Sequence, residues 1–261
     1  MSVVPNQTKR RLAAGGLAIG LGLRLARTVD IATIAKACDY DWLFIDMEHG
    51  SLDVDRAGQI AVAALAVGVT PIVRVPGPEH YHATRLLDAG AQGIVVPHVD
   101  TAAQAERIVS YCRFPPAGRR SIGGAQPQLG FRSVPVVEAM GLVNEETLVV
   151  VMLETATGIA DADAIAAVKG VDVLLVGFND LCAELGVPGE LGGAKAAAAF
   201  ATVVAACGKH GKHAGFGGAY DNALLDKYVA MGGRFVLGGG DAGFMMAAAR
   251  ERAGFLRSLK P

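Results

Sequence analysis

The chain has 261 residues, of which 52% are hydrophobic and 19% charged, with a formal net charge of -1. That length is close to the roughly 250 residues of a single α/β barrel, and the apolar share supplies one large core with no long disordered segment, so residues 1–261 read as one domain. Basic and acidic residues are interspersed and nearly balanced, which argues against nucleic acid or an anionic membrane as the main partner and leaves a small molecule.

Near the start, Lys9, Arg10 and Arg11 precede an apolar, glycine-rich stretch that mimics a secretory leader. It is too short and too glycine-broken to span a bilayer and has no obvious small-residue cleavage site, so it reads as a first strand. Cys38, Cys112, Cys182 and Cys207 form no CxxC pair, which speaks against a disulfide framework or a zinc finger and fits a cytoplasmic protein.

Short runs rich in Val, Ile and Leu then recur about eight times, each followed by a segment with helical spacing. In chain order the runs are 17–23, 41–47, 70–75, 93–97, 148–154, 172–177, 213–217 and 234–238, with helical segments such as 54–67, 101–111, 158–168 and 221–231 between them. Continuous apolar runs of this kind belong to parallel strands covered on both faces. Count and length favour closure into a (β/α)8 barrel, and no GxGxxG follows the first run to suggest an open dinucleotide-binding sheet. The one irregular stretch, 114–144, is rich in Pro and Gly and reads as a lid or subunit contact over the end of the fourth strand.

In such a barrel the chemistry sits where strands run into their following loops. Asp46, Glu48 and His49 end the second run, Arg74 the third, Glu154 the fifth and Asp180 the sixth, with Asp88 at a helix end. A carboxylate after the buried run 148–153 is costly unless paired or bound to a cation. Glu154 and Asp180 on adjacent strand ends suit a hard ion such as Mg2+ or Mn2+; a salt bridge from Glu154 to an arginine and a helix N-cap role for Asp180 are the competing readings. Arg74, held between Pro71 and Pro76, is a fork for a carboxylate or a developing enolate, or else an ordinary ion pair. His49 is a candidate acid or base or a solvated surface histidine, whereas His80, His82, His98, His210 and His213 read as structural or solvated. The glycine clusters after the seventh and eighth runs make either a phosphate cup or tight turns that let substrate come close.

Several segments together carry a family resemblance. DWLFIDMEHGSL from Asp41, PIVRVPG around Arg74, LLDAGAQGIVVPHV around Asp88, VMLET around Glu154 and VGFNDLCAELGVPG around Asp180 resemble the HpcH/HpaI aldolase family, in its order and spacing over nearly the whole chain. The resemblance implies a barrel of the phosphoenolpyruvate/pyruvate-binding type and a class II, divalent-metal-dependent aldolase. Such an enzyme cleaves a 4-hydroxy-2-oxo acid to pyruvate, or a related 2-oxo acid, and an aldehyde, in aromatic or sugar-acid catabolism. Glu154 and Asp180 would bind Mg2+, Mn2+ or Co2+, on which the oxo acid chelates. Arg74 would help stabilise the enolate and His49 would move protons. Asp46 and Asp88 match positions that support that histidine, Asp88 from across a subunit boundary. Related members are hexamers, trimers of dimers, with exchanged C-terminal helices, so the segment 241–259 would dock on a neighbour.

Two departures concern the substrate. Met152 stands where many members carry glutamine, and GFNDL replaces the usual GPADL, so Met152, Gly177, Phe178 and Asn179 join Arg74 as substrate-binding candidates. A Schiff-base aldolase would need an inward lysine, and Lys212, the nearest, precedes its strand. The remaining alternatives are a CoA-thioester lyase of the citrate lyase β or malyl-CoA lyase type and a non-catalytic oxo-acid-binding barrel.

Overall fold

The computed structural model describes residues 3–260. Eight parallel strands close into a barrel in chain order: β1 (Ala18–Leu23), β2 (Trp42–Asp46), β3 (Thr70–Arg74), β4 (Gly93–Val96), β5 (Leu148–Leu153), β6 (Val173–Gly177), β7 (His213–Gly217) and β8 (Phe235–Gly240). β1 pairs with both β2 and β8, which completes the ring and removes free edges. Helices cover the outside, and their ends follow local chemistry. Val54–Val67 starts where the Asp53 side chain accepts from the Arg56 backbone N–H and stops at Gly68, in a left-handed conformation at φ 74°. Ala102–Cys112 opens with a reciprocal capping box between Thr101 and Gln104.

Side chains alternate across each strand, and this period of two divides the core. Trp42, Phe44, Ile72, Val150, Met152 and Leu175 fill the barrel interior, while Leu43, Ile45, Val73, Val151 and Val176 pack outward against the helices. Continuing the inward parity by one step on β2, β3 and β5 puts Asp46, Arg74 and Glu154 in a single layer at the carboxyl end of the barrel. The interior is tight at Gly20, where a Cβ would sit 2.3 Å from the Trp42 ring. That ring cannot retreat, since it stacks on Phe235 at 4.0 Å and meets the Phe44 edge at 6.1 Å. Gly20→Ala is therefore expected to destabilise the protein by about 1–3 kcal/mol through overpacking; an unchanged denaturant midpoint would show that the interior has slack.

The structure departs from the sequence expectations in three places. The basic triplet belongs to a helix, Gln7–Ala13, capped by the Asn6 side chain accepting from Lys9 N–H at 2.9 Å, and its Leu12 plugs the amino end of the barrel. The segment 114–144 contains a 3-10 turn, Pro127–Leu129, and a helix, Val136–Glu146. It lies at the amino end rather than over the end of β4: Gln128 donates to the carbonyls of Leu87 and Ala91, ahead of β4, and Phe114 is tied to Asn144, which with Gly170 and Asp172 is bound by Arg113 ahead of β5 and β6. The helical segment 158–168 is two short helices, Ala156–Ala160 and Ala162–Ala167. Helix Asp241–Ser258, within the segment expected to dock on a neighbour, buries none of its residues in the single chain and exposes Phe244, Met245, Met246, Phe255 and Leu256. Among the described residues no helix is long and apolar enough to cross a membrane, and all four cysteines are free thiols.

Candidate active site

A polar layer caps the apolar interior at the carboxyl ends of the strands. Asp46 and Arg74 are register partners on β2 and β3. Arg74 donates from Nε to Asp46 Oδ1 at 3.0 Å and from Nη2 to Oδ2 at 2.7 Å, a two-pronged fork. Its Nη1 forms an ion pair with Glu48 at 2.8 Å and lies 3.9 Å from Met152 Sδ, and the guanidinium covers the Phe44 ring at 5.0 Å. Burial opposes the Arg74 charge, but Asp46 and Glu48 outweigh it and raise its pKa. Burial likewise opposes ionisation of Asp46, yet the Arg74 fork, helped by His49 N–H and Arg24, holds that carboxyl below its usual range.

Above this layer opens a cavity of about 560 Å3 into which Asp46, His49, Arg74, Met152, Glu154 and Asp180 face. Glu154 follows the Leu153–Val176 register pair and so stands beside Gly177. A Cβ at Gly177 would lie 2.3 Å from Glu154 Oε1, so only glycine leaves the notch that this carboxylate occupies. The arginine salt bridge considered for Glu154 is not what forms. Its ion-pair contact is with His98, whose backbone N–H donates to Oε2 at 3.2 Å and whose Nδ1 lies 3.4 Å away. His98, in the left-handed region at φ 54°, also reaches Glu48 Oε1 through Nε2 at 3.2 Å. Though exposed to solvent as the sequence suggested, it also ties together two carboxylates of the site. Burial pushes Glu154 up to about 7; Asp180 and Glu48 add to the rise and His98 only partly offsets it.

Asp180 occupies the first turn of helix Phe178–Glu184 and does not act as its N-cap, a position held by Gly177. Among the described residues its carboxylate makes no hydrogen bond. A buried carboxylate with a raised pKa and a second, uncommitted one facing the same cavity fit a divalent cation as their missing counter-charge. Among the described residues no three His, Cys, Asp or Glu side chains converge to hold an ion; Glu154 and Asp180 are the two carboxylates that could contribute to one, as in Mg2+ sites completed by waters and substrate oxygens.

The other anticipated residues sort differently. His49 is exposed at the cavity rim; its backbone N–H donates to Asp46 Oδ1 at 3.2 Å while its imidazole makes no hydrogen bond among the described residues. Asp46 thus holds the loop that carries His49, not the imidazole. Asp88 ends helix His80–Asp88, which runs back toward the amino end of the barrel, and accepts from Arg120 at 2.6 Å and Gln126 at 3.3 Å. Within one chain it is at the opposite end from Glu154. Met152, Gly177 and Asn179 border the cavity. Phe178 packs its ring on Tyr228 at 4.3 Å and on Phe200 and Phe216, so it can offer a substrate no more than its main chain. Gly217, Gly218, Gly239 and Gly240 line the mouth, Gly218 and Gly239 at positive φ, and at Gly239 a Cβ would lie 2.4 Å from the Phe244 ring, which packs against that backbone. Arg24 and Tyr220 also line the mouth, and His98 contacts Glu48 and Glu154, without having been singled out as candidates in the sequence. The signal was present, since each lies within about three residues of a strand's carboxyl end, the same rule that selects Arg74.

This architecture has close parallels. A family model described as HpcH/HpaI aldolase/citrate lyase matches residues 24–248. Among the similar curated proteins, a 4-hydroxy-4-methyl-2-oxoglutarate aldolase of Hapsidospora irregularis is 41% identical, over 100% of this chain and 98% of its own. A hydroxypyruvate/pyruvate aldolase of Pseudomonas aeruginosa is 37% identical over 100% and 96%. The crystal structure of an HpcH/HpaI aldolase from Desulfitobacterium hafniense superposes with a TM-score of 0.92 at 29% identity, covering 97% of each chain.

Proposed function

This chain belongs to the HpcH/HpaI aldolase/citrate lyase family and is an aldolase, a carbon–carbon lyase; we propose that it is divalent-metal-dependent and cleaves 4-hydroxy-2-oxo acids to pyruvate, or a related 2-oxo acid, and a second carbonyl compound. The observation that carries this reading is the buried Glu154, raised to about 7 and facing the same cavity as Asp180, its one ion-pair contact among the described residues being with His98.

Glu154 and Asp180 would hold Mg2+, Mn2+ or Co2+, which supplies Lewis acidity that draws electrons from the oxo group of the substrate. Arg74 presents a fixed positive charge to the developing enolate oxygen, and because Asp46 and Glu48 already hold it in place, little reorganisation accompanies the reaction. Met152 fills the space beside Arg74 with a thioether, so the site offers the oxo acid no side-chain amide there. His49, exposed at the rim, takes the proton from the C4 hydroxyl during cleavage and returns it during condensation. His98 keeps the Glu154 carboxylate aimed at the cavity. Asp88 would serve only from a neighbouring copy, and we extend the proposal to assembly: the unburied apolar residues of helix Asp241–Ser258 dock on another subunit in a hexamer.

The deciding experiment uses protein stripped with a chelator, then supplied with Mg2+, Mn2+ or Co2+. Release of pyruvate from 4-hydroxy-2-oxo acids, and hydrogen–deuterium exchange at C3 of pyruvate, should fall to background and return with the ion. Full turnover after exhaustive stripping, or a covalent pyruvate adduct trapped by borohydride, would reject the metal-dependent reading.

A further inference from the structure

The cavity, at about 560 Å3, is far larger than a three-carbon oxo acid requires, and its mouth holds a cation that the chemistry above leaves unused. Arg24 is the first residue after β1. The backbone N–H groups of Arg24, Leu25 and Ala26 all donate to the Asp241 carboxylate, at 2.7 to 3.3 Å, so the loop is pinned before any substrate arrives. The Arg24 side chain, 54% exposed, donates from Nε to Asp46 Oδ2 at 3.0 Å. Among the described residues neither of its terminal nitrogens makes a hydrogen bond, which leaves four N–H donors in a flat fork. Asp46 therefore holds two guanidinium groups, Arg74 within the barrel and Arg24 at the rim. Around the rim Gly22, Gly217, Gly218, Gly239 and Gly240 alternate with the side chains of Leu237 and Phe244, and Tyr220 feels the charges of Arg24 and Arg74.

We propose that Arg24 determines specificity by receiving a second carboxylate, borne on C4 of the substrate, so that the preferred substrates are 4-hydroxy-2-oxo dicarboxylic acids. This rests on the reading of Glu154, Asp180 and Arg74 as the donor end of the site. With the 2-oxo acid half held there, the C4 substituents project toward the mouth, where a guanidinium fork matches a carboxylate in two parallel hydrogen bonds. A cavity of about 560 Å3 leaves room beyond the oxo acid for a further group on C4, so the acceptor product is a ketone as well as an aldehyde. Cleavage breaks the C3–C4 bond: its electron pair goes to C3, which takes a proton, while the C4 hydroxyl surrenders its proton and becomes the carbonyl. When C4 bears a methyl and a carboxylate, both products are pyruvate and the atoms balance with no co-reactant.

The test compares 4-hydroxy-4-methyl-2-oxoglutarate with the monocarboxylate 4-hydroxy-2-oxovalerate as substrates of wild type, Arg24→Gln and Arg24→Lys, each with saturating Mn2+. Wild type should favour the dicarboxylate in kcat/KM. Arg24→Gln should lose about 100-fold on the dicarboxylate, mainly in KM, and no more than about threefold on the monocarboxylate. Arg24→Lys, which keeps the charge without the fork, should fall between. Equal losses on both substrates would show that Arg24 acts only through Asp46, and wild-type indifference to the second carboxylate would overturn the proposal without any variant. Metal-dependent C3 exchange of pyruvate, which needs no acceptor, separates the two levels: its absence defeats the donor-site reading, whereas its presence without dicarboxylate preference defeats only the role of Arg24.

Discussion

Glu154→Gln is expected to reduce turnover by about 10³-fold or more while the barrel stays folded, because the change removes one of the two anionic donors proposed for the metal and keeps the shape of the side chain. The same carboxyl gives the metal-free protein a pH signature. Its pKa is raised in the native state to about 7, from an ordinary value of 4.5, chiefly by burial. The native state therefore binds this proton more tightly than the unfolded chain does. The associated stability is fully present below about pH 4.5 and is lost as pH rises through 7, a change on the order of 3 kcal/mol. Chelator-stripped wild type should accordingly lose stability between pH 5 and 8, and Glu154→Gln should lose much less. Added Mn2+ should stabilise wild type increasingly over that window, since the ion needs the ionised carboxylate. Denaturant midpoints at pH 5.5 and 8, with and without Mn2+, read all of this. Equal stabilisation of variant and wild type by the ion would remove Glu154 from the metal site.

Arg74→Ala should damage both stability and chemistry. The substitution strips the buried Asp46 of its fork and Glu48 of its ion-pair partner. Leaving a buried charge without its partner costs about 3–5 kcal/mol, toward the lower end here because Arg24 still reaches Asp46. C3 exchange of pyruvate should fall by about 100-fold or more, since the preorganised charge proposed to face the enolate is gone. Arg74→Lys retains a cation but not the fork, so it should recover part of the stability and little of the rate. The double variant Asp46→Ala, Arg74→Ala should be less destabilised than the sum of the single ones, which marks direct coupling. Unaltered exchange in the Arg74→Ala protein would show that this guanidinium is structural only.

The shift of His98 from bystander to neighbour of Glu154 illustrates where one-dimensional reading stops. His98 follows Pro97 just beyond β4, and nothing in VPHV announces that its ring will lie between Glu48 and Glu154, residues 50 and 56 positions away. Asp46 poses the same difficulty. Its neighbours Glu48 and His49 suggest a carboxylate–histidine pair, yet the register of β2 on β3 puts Arg74 directly beside it, and a buried acid gains more from a charged fork than from an exposed imidazole. Asp88 lies in a convincing motif, but its helix runs antiparallel to the strands and delivers it to the far end of the barrel. The helix Gln7–Ala13 was hidden because its single buried stripe, Thr8 and Leu12, is too short to show periodicity.

What the chain determines by local pattern alone is the number, order and parallel sense of the strands and the polar residues at their carboxyl ends, among them Asp46, Arg74, Glu154 and Asp180. Burial on both faces writes itself into composition, and the period of two carries the inward parity to the last residue of each strand. Only the tertiary structure decides which of these groups neutralise one another, which face the cavity unpaired, and which end of the barrel receives Asp88 and the segment 114–144. Those outcomes depend on register and on distances between residues far apart in sequence, and electrostatic energy depends on such distances while hydrophobic periodicity does not.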